Sequence, residues 1–273
     1  MNAPLTWLYV PGDRPERFAK AAASGADVVV VDLEDAVAAP DKVRARSTVA
    51  DYLTTVPDGP TVHVRINDGA LGRDDVAVLA GLPGLGGLRV PKVDSTDTLD
   101  ALDAVLPDRV RLWPLVESAR GCAAIDAIAA HHRVAGIALG EQDLAATLHL
   151  GSDTALDHLR LRAVLSAAAA GLPAPPMSVH PHVRDDDSLL RSTRHGRALG
   201  LFGRSVIHPR QVPVVRAAFA PTAGETTWAH AVVEAAGRPD ARGAIALPDG
   251  TFVDRPIVDR ARTVLALAAR TAV

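Results

Sequence analysis

Short apolar runs alternate with longer alanine-rich stretches of helical period along this chain, a pattern that predicts repeated β-α units around a parallel sheet. The strand candidates are Trp7–Val10, Asp27–Leu33, Thr61–Ile66, Gly87–Val93, Arg111–Val116, Val134–Leu139, Pro175–Val179 and Ser205–Ile207. Several are continuous Val/Ile/Leu runs, as strands covered on both faces require. Helix candidates between them are Pro15–Ala23, Lys42–Leu53, Thr96–Val105, Ala119–His131, Asp157–Ala170 and Asp187–Leu199, with Pro209–Ala220 after the last strand. Eight strands in this order fit a closed (β/α)8 barrel better than an open sheet, and residues 1–220 are expected to form it. Residues 221–273 read as a helix–hairpin–helix extension. It comprises a helix near Thr227–Ala236, a Pro248-Asp249-Gly250 turn between two short apolar runs, and a helix from Arg255. A tail outside the barrel repeat is expected to pack on a neighbouring subunit, which makes the protein a homo-oligomer.

A length of 273 residues suits one such barrel with a short appendage. Lys plus Arg total 29 against 32 for Asp plus Glu, so the basic footprint of a nucleic-acid binder is missing and the expected substrate is small. No apolar run reaches the roughly 18 residues of a membrane span, and the amino terminus lacks the pattern of a secretory signal, so a cytoplasmic protein is expected. The lone cysteine, Cys122, cannot form an internal disulfide and reads as a small core residue.

Charged residues collect where the strands end: Asp13-Arg14, Asp32 with Glu34-Asp35, Arg65 with Asn67, Lys92, Glu117, Asp143, His180 and His208. In a parallel barrel those ends share one face, where catalytic groups gather. Glu117 and Asp143 are hard carboxylates on rigid elements, a donor type that suits Mg²⁺ and leaves positions for substrate oxygens. Arg65 could meet negative charge as it develops. Each has an ordinary alternative. Glu117 and Asp143 could cap the helices they precede, Arg65 could pair with Asp68 or an inward acid, and Glu34-Asp35 could begin a helix. His180 and His208, each beside a proline at a strand end, read as packing residues, and neither is assigned as a base. The shared strand-end face favours the metal reading.

The segments VPGDRPERF, VVVVDLEDAV, VRIN, VPKV, LVESARG, GEQDL, GRSVIHPRQV and DGTFVDRP resemble, in order and spacing, those of the CitE-like branch of the HpcH/HpaI aldolase and citrate lyase β-subunit superfamily. The resemblance implies a Mg²⁺-dependent lyase that makes or breaks the bond between an acyl-CoA α-carbon and a 2-oxo acid. It implies Glu117 and Asp143 as metal ligands, with Glu34 and Asp35 holding metal-bound water. Arg65 would stabilise the alkoxide, and Asp254 would reach in from an adjacent subunit as acid or base. For CoA it points to Tyr9, Arg14 and Lys20, and to the backbone around Val206–His208. A homotrimer, or a hexamer, is the family expectation. Two departures stand out: Gly140-Glu141-Gln142-Asp143 where many relatives have Gly-Ala-Glu-Asp, and Ser178-Val179-His180-Pro181 where relatives often carry an aspartate. Other readings are a β subunit of a citrate lyase complex, a CoA-independent 2-oxo acid aldolase, and a non-catalytic binding homologue.

Overall fold

The computed structural model describes residues 3–55, 59–238, 245–247 and 250–271. These form two compact units, Ala3–Val215 and the segment from Arg216 onward. The first contains, in order, β1 (Thr6–Pro11), α1 (Phe18–Ala22), β2 (Val28–Asp32), α2 (Lys42–Leu53), β3 (Thr61–Arg65), α3 (Gly69–Leu79) and β4 (Gly87–Val90). It continues with α4 (Asp97–Asp103), β5 (Leu112–Val116), α5 (Ala119–Ala130), β6 (Ala138–Leu139), α6 (Glu141–Thr147), α7 (Asp153–Ala169), α8 (Asp186–Ala198) and β7 (Arg204–Val206). Helix α9 (Gln211–Phe219) carries the chain into the second unit.

All seven strands of the sheet run parallel, in the order β6-β5-β4-β3-β2-β1-β7. β2, a VVVVD run, is buried along its whole length, which is why it lacks the alternation of a half-exposed strand. Trp7, Val28 and Val30 pack with Tyr9 and Trp113 into one cluster. Among them Arg89 is fully buried, with its guanidinium carbon 4.1 Å from the Trp7 ring centre. Burial, reinforced by that nearby cation, drops the pKa of His63 to about 3, so its ring is neutral.

The strand expected at Pro175–Val179, seventh of the eight in chain order, is not formed. Met177 makes a single bridge to Arg204, with its N–H donating to Gly203 O at 2.9 Å and its carbonyl accepting from Ser205 N–H at 2.9 Å. Toward β6 the segment is tied by a side-chain bond, Ser178 Oγ donating to Leu139 O at 2.5 Å. The physical reason is proline: Pro173, Pro175 and Pro176 have no N–H to give a ladder, and β6 is two residues long instead of the six expected. Among the described residues the fold is therefore a curled seven-stranded sheet whose two edge strands are both touched by residues 175–179, not a fully laddered (β/α)8 barrel.

Behind the strand ends, a buried polar knot ties α2 to α3. Arg46 Nε donates to Asp75 Oδ1 at 2.6 Å, and the backbone N–H and Nδ2 of Asn67 both donate to Asp75 Oδ2 at 2.8 Å. Asp75 is fully buried, so Asp75→Ala removes the buried partner of the Arg46 guanidinium and leaves it only the exposed Asp74, 3.6 Å away, as a counter-charge. That variant should lose about 3–5 kcal/mol of stability, read as a lower urea midpoint at unchanged slope.

In the second unit, α10 (Ala223–Ala236) starts with a capping box: Thr222 Oγ1 accepts from Glu225 N–H at 3.1 Å, and Glu225 Oε2 accepts from Thr222 N–H at 2.7 Å. Strands β8 (Ile245–Ala246) and β9 (Phe252–Val253) pair antiparallel, and α11 (Arg255–Thr271) follows. Ala229, Val232, Ala235, Leu247, Val253 and Ala261 form its core. Pro248 and Asp249, the expected turn, lie outside the described residues. Among the described residues no helix is long and apolar enough to cross a membrane.

Candidate active site

Parallel register sets up the centre of the site. Asp32 at the end of β2 stands opposite Arg65 at the end of β3, and the two form a bidentate pair. Arg65 Nε donates to Asp32 Oδ1 at 2.7 Å and Nη2 to Oδ2 at 2.6 Å. Nη1 lies 2.9 Å from Glu34 Oε2 and 3.1 Å from Asp35 Oδ2. Burial works against the Arg65 charge, yet the Asp32 bonds hold its pKa above the ordinary arginine value. Asp32 and Glu34 are buried while the Asp35 side chain is 69% exposed. Asp35 is thus the partner an incoming anion displaces most cheaply. Asp68 does not pair with Arg65; its side chain accepts from Gly69 N–H at 2.7 Å and caps α3.

Glu117 is not a helix cap either. Ser118 takes that role, accepting from Gly121 N–H at 3.0 Å. The buried Glu117 carboxylate instead accepts from Lys92 N–H at 2.7 Å, a bond that the left-handed backbone of Lys92, φ 51°, presents to it. Gly140 leaves the space for the other oxygen: a Cβ there would sit 2.5 Å from Glu117 Oε2. Lys92 Nζ lies 3.1 Å from Glu34 Oε1, so one residue touches both acids. Asp143 is exposed in the first turn of α6, which has no side-chain cap.

A cavity of about 450 Å³ brings the strand ends together; Tyr9, Asp32, Asp35, Arg65, Glu117 and Asp143 all line it. Burial pushes the Glu117 carboxyl up to about 7, with Glu34 and Asp143 adding to the shift and the Lys92 N–H opposing it. Burial also raises Glu34, against the pull of Arg65. The Glu117 shift, from 4.5 to about 7, makes a pH prediction. Through that window the folded, metal-free protein keeps a proton that the unfolded chain releases, so stability falls as pH rises, by at most about 3 kcal/mol from this group. Glu117→Gln should flatten that part of the stability–pH curve measured in EDTA.

Of the other expected site residues, Arg14 and Lys20 are exposed and do not line the cavity; Arg14 Nε lies 3.8 Å from Asp13. Arg17, to which the sequence assigned nothing, lines it, as does Ser178. His180 and His208 do not. Asp254 belongs to the second unit, where Oδ1 accepts from Ile257 N–H at 3.3 Å at the start of α11. Cys122 is half-buried rather than a core residue, and burial raises its thiol pKa. Elsewhere, Asp103, His131 and His132 form the one described group of three metal-type donors within 4.8 Å of one another. Arg133 Nε already donates to Asp103 there.

Residues 5–209 match the family profile of the HpcH/HpaI aldolase/citrate lyase proteins. The chain belongs to that family. Within the HpcH/HpaI family it is 38% identical over 267 residues to a citrate lyase subunit beta-like protein of Mycobacterium tuberculosis, covering 95% of this chain and 93% of the relative. It is 35% identical over 270 residues to a (3S)-malyl-CoA thioesterase of Cereibacter sphaeroides, covering 96% and 93%. A crystal structure of CitE from Mycobacterium tuberculosis in complex with magnesium, acetoacetate and coenzyme A superposes with a TM-score of 0.84 at 36% identity, covering 98% of this chain and 99% of that one. The family fold accounts for the curled parallel sheet.

Proposed function

We propose that the chain is a Mg²⁺-dependent carbon–carbon lyase that cleaves or forms a 3-hydroxyacyl-CoA of the malyl or citramalyl type from an acyl-CoA and a 2-oxo acid. The observation that carries this reading is the pair Glu117 and Asp143 lining one cavity with Arg65. Their chemistry fits the ion. They are hard carboxylate oxygens, and Glu117 is held above its ordinary pKa by burial and by neighbouring acids, a cost that a divalent cation relieves. The CitE structure with magnesium, acetoacetate and coenzyme A supports the same assignment.

Glu117 and Asp143 would hold the metal, which when bound polarises the carbonyl of the oxo acid. Arg65, aimed by Asp32, presents its guanidinium to the oxygen on which negative charge builds, with Asp35 giving way. With a metal bound, Glu34 and Asp35 would orient its water. Asp254 from an adjacent copy gives the α-carbon its proton in cleavage and removes it in condensation. Tyr9, Arg14 and Lys20 contact the CoA, and Arg17 from the cavity wall adds charge for a phosphate or carboxylate. In this reading the protein is a cytoplasmic homotrimer or hexamer, with residues 1–220 as the catalytic barrel, closed by residues 175–179, and 221–273 as the extension that completes a neighbour's site.

The test is a panel of acyl-CoA and 2-oxo acid pairs assayed with Mg²⁺ or EDTA on wild type, Glu117→Ala and Asp254→Asn. Metal-dependent turnover that both variants lose is expected; wild type and variants equally inert across the panel would contradict the lyase. The relative named a (3S)-malyl-CoA thioesterase favours a second reading, hydrolysis of the thioester. Products separate the two: malyl-CoA gives glyoxylate and acetyl-CoA by lysis, malate and free CoA by hydrolysis.

A further inference from the structure

A second cavity, about 530 Å³, opens beside the first. The two share Glu141, Gln142 and the Met177–Val179 segment as a wall, but Tyr9, Arg65, Glu117 and Asp143 do not line the second. Strand alternation explains the division. On β7, Ser205 faces the first cavity and Arg204 the second.

Arg204 is 6% exposed and has no carboxylate within ion-pair distance among the described residues. Its Nη1 donates to Ser192 Oγ and Thr193 Oγ1, both at 3.0 Å, while Nε has no partner. Most of the five donors of this guanidinium are therefore unused, and burial pulls its pKa down to about 10. Arg160, by contrast, is paired with two carboxylates. Its Nε and Nη2 donate to the two oxygens of Glu141 at 2.9 and 2.6 Å, and Nη1 to Asp157 at 2.7 Å. His180 is 8% exposed with Nε2 unpartnered, and its pKa is lowered by burial first and by Arg204 and His182 next. Arg191 is exposed among the lining residues. With Arg160 paired to Glu141 and Asp157, the guanidiniums left to the space are Arg204 and Arg191, against one further lining carboxylate, Asp153. A buried cation without a counter-charge is costly, and an anion removes that cost.

We propose that this cavity is a second binding site, separate from the reaction cavity, for a small molecule bearing phosphate or carboxylate oxygens. Arg204 and Arg191 hold its charge, and the Ser188 hydroxyl, which also lines the space, completes the contacts.

The experiment is calorimetric titration of the full chain with inorganic phosphate and, separately, with malonate, in EDTA at constant ionic strength. Saturable binding in the millimolar range is expected for one or both. Phosphate alone assigns the site to phosphate esters, malonate alone to dicarboxylates, and either supports the proposal. Arg204→Met, which keeps the volume, and Arg191→Ala, at an exposed position, should each weaken binding by at least about tenfold, the scale of one charge-assisted contact. Arg65→Lys should leave it unchanged. No saturation with either anion, binding that survives both the Arg204 and Arg191 variants, or binding lost in Arg65→Lys overturns the proposal.

Discussion

Glu117→Gln should lower kcat/KM about a thousandfold or more, on the order of 4 kcal/mol of transition-state stabilisation, and leave the protein folded. The amide is nearly isosteric and its oxygen still accepts from Lys92 N–H, so the local packing survives. What it loses is the anionic oxygen beside Gly140, the one the missing Cβ leaves unobstructed. Because hard divalent ions bind weakly to an amide in place of a carboxylate, added Mg²⁺ should rescue little. The folded state should also gain from the exchange, since a buried carboxyl held up to about 7 is replaced by a group with no charge to desolvate. Lost activity with an equal or higher thermal midpoint in EDTA is therefore the expected signature. Activity within a fewfold of wild type would show that Glu117 holds no functional metal.

Arg65→Lys should cost about a hundredfold to a thousandfold in kcat. A lysine can offer one donor to Asp32, but it cannot span both Asp32 oxygens and still reach the edge where Glu34 and Asp35 now sit. Asp32→Asn should produce part of the same loss through position, because a neutral amide no longer fixes the fork. The two losses should be far from additive in the double variant, since Asp32 acts through Arg65. A steady-state series that separates kcat from KM checks this: an additive double variant would mean that Asp32 contributes by some other route.

That pair also shows what the sequence did and did not reveal. Both residues stood out at the ends of apolar runs, and parallel strands were expected there, yet the only partner the chain let us name was Asp68; the alternative, an inward acid, stayed without a residue until the structure supplied Asp32. The structure turns Asp68 to its own helix start and gives Arg65 to a residue 33 positions upstream, because β2 and β3 are register neighbours. Adjacency across a sheet leaves no mark on local sequence. For the same reason Glu117 looked like a possible cap, when Ser118 beside it does the capping and the carboxylate is engaged by a backbone N–H 25 positions away. Strands made of uninterrupted Val runs, such as β2, were legible since nothing else buries four consecutive β-branched residues so readily. Pro175–Val179 was misread because apolar composition suggested a strand that its prolines cannot hydrogen-bond. Helix α3 escaped notice because its Gly69-Ala-Leu-Gly start carries no helical apolar stripe. Arg17 was passed over for Arg14 and Lys20, since one 3₁₀ turn at Pro15–Arg17 before α1 changes which side chains face the cavity.

The central claim is a divalent ion held by Glu117 and Asp143 next to Arg65. Anomalous diffraction from crystals grown with Mn²⁺ tests it most directly, because Mn²⁺ takes the same oxygen ligands and scatters anomalously. An anomalous peak about 2.0–2.3 Å from a carboxylate oxygen of each residue is the expected result. A cavity with no such peak, with manganese found only at Asp103, His131 and His132, would contradict it.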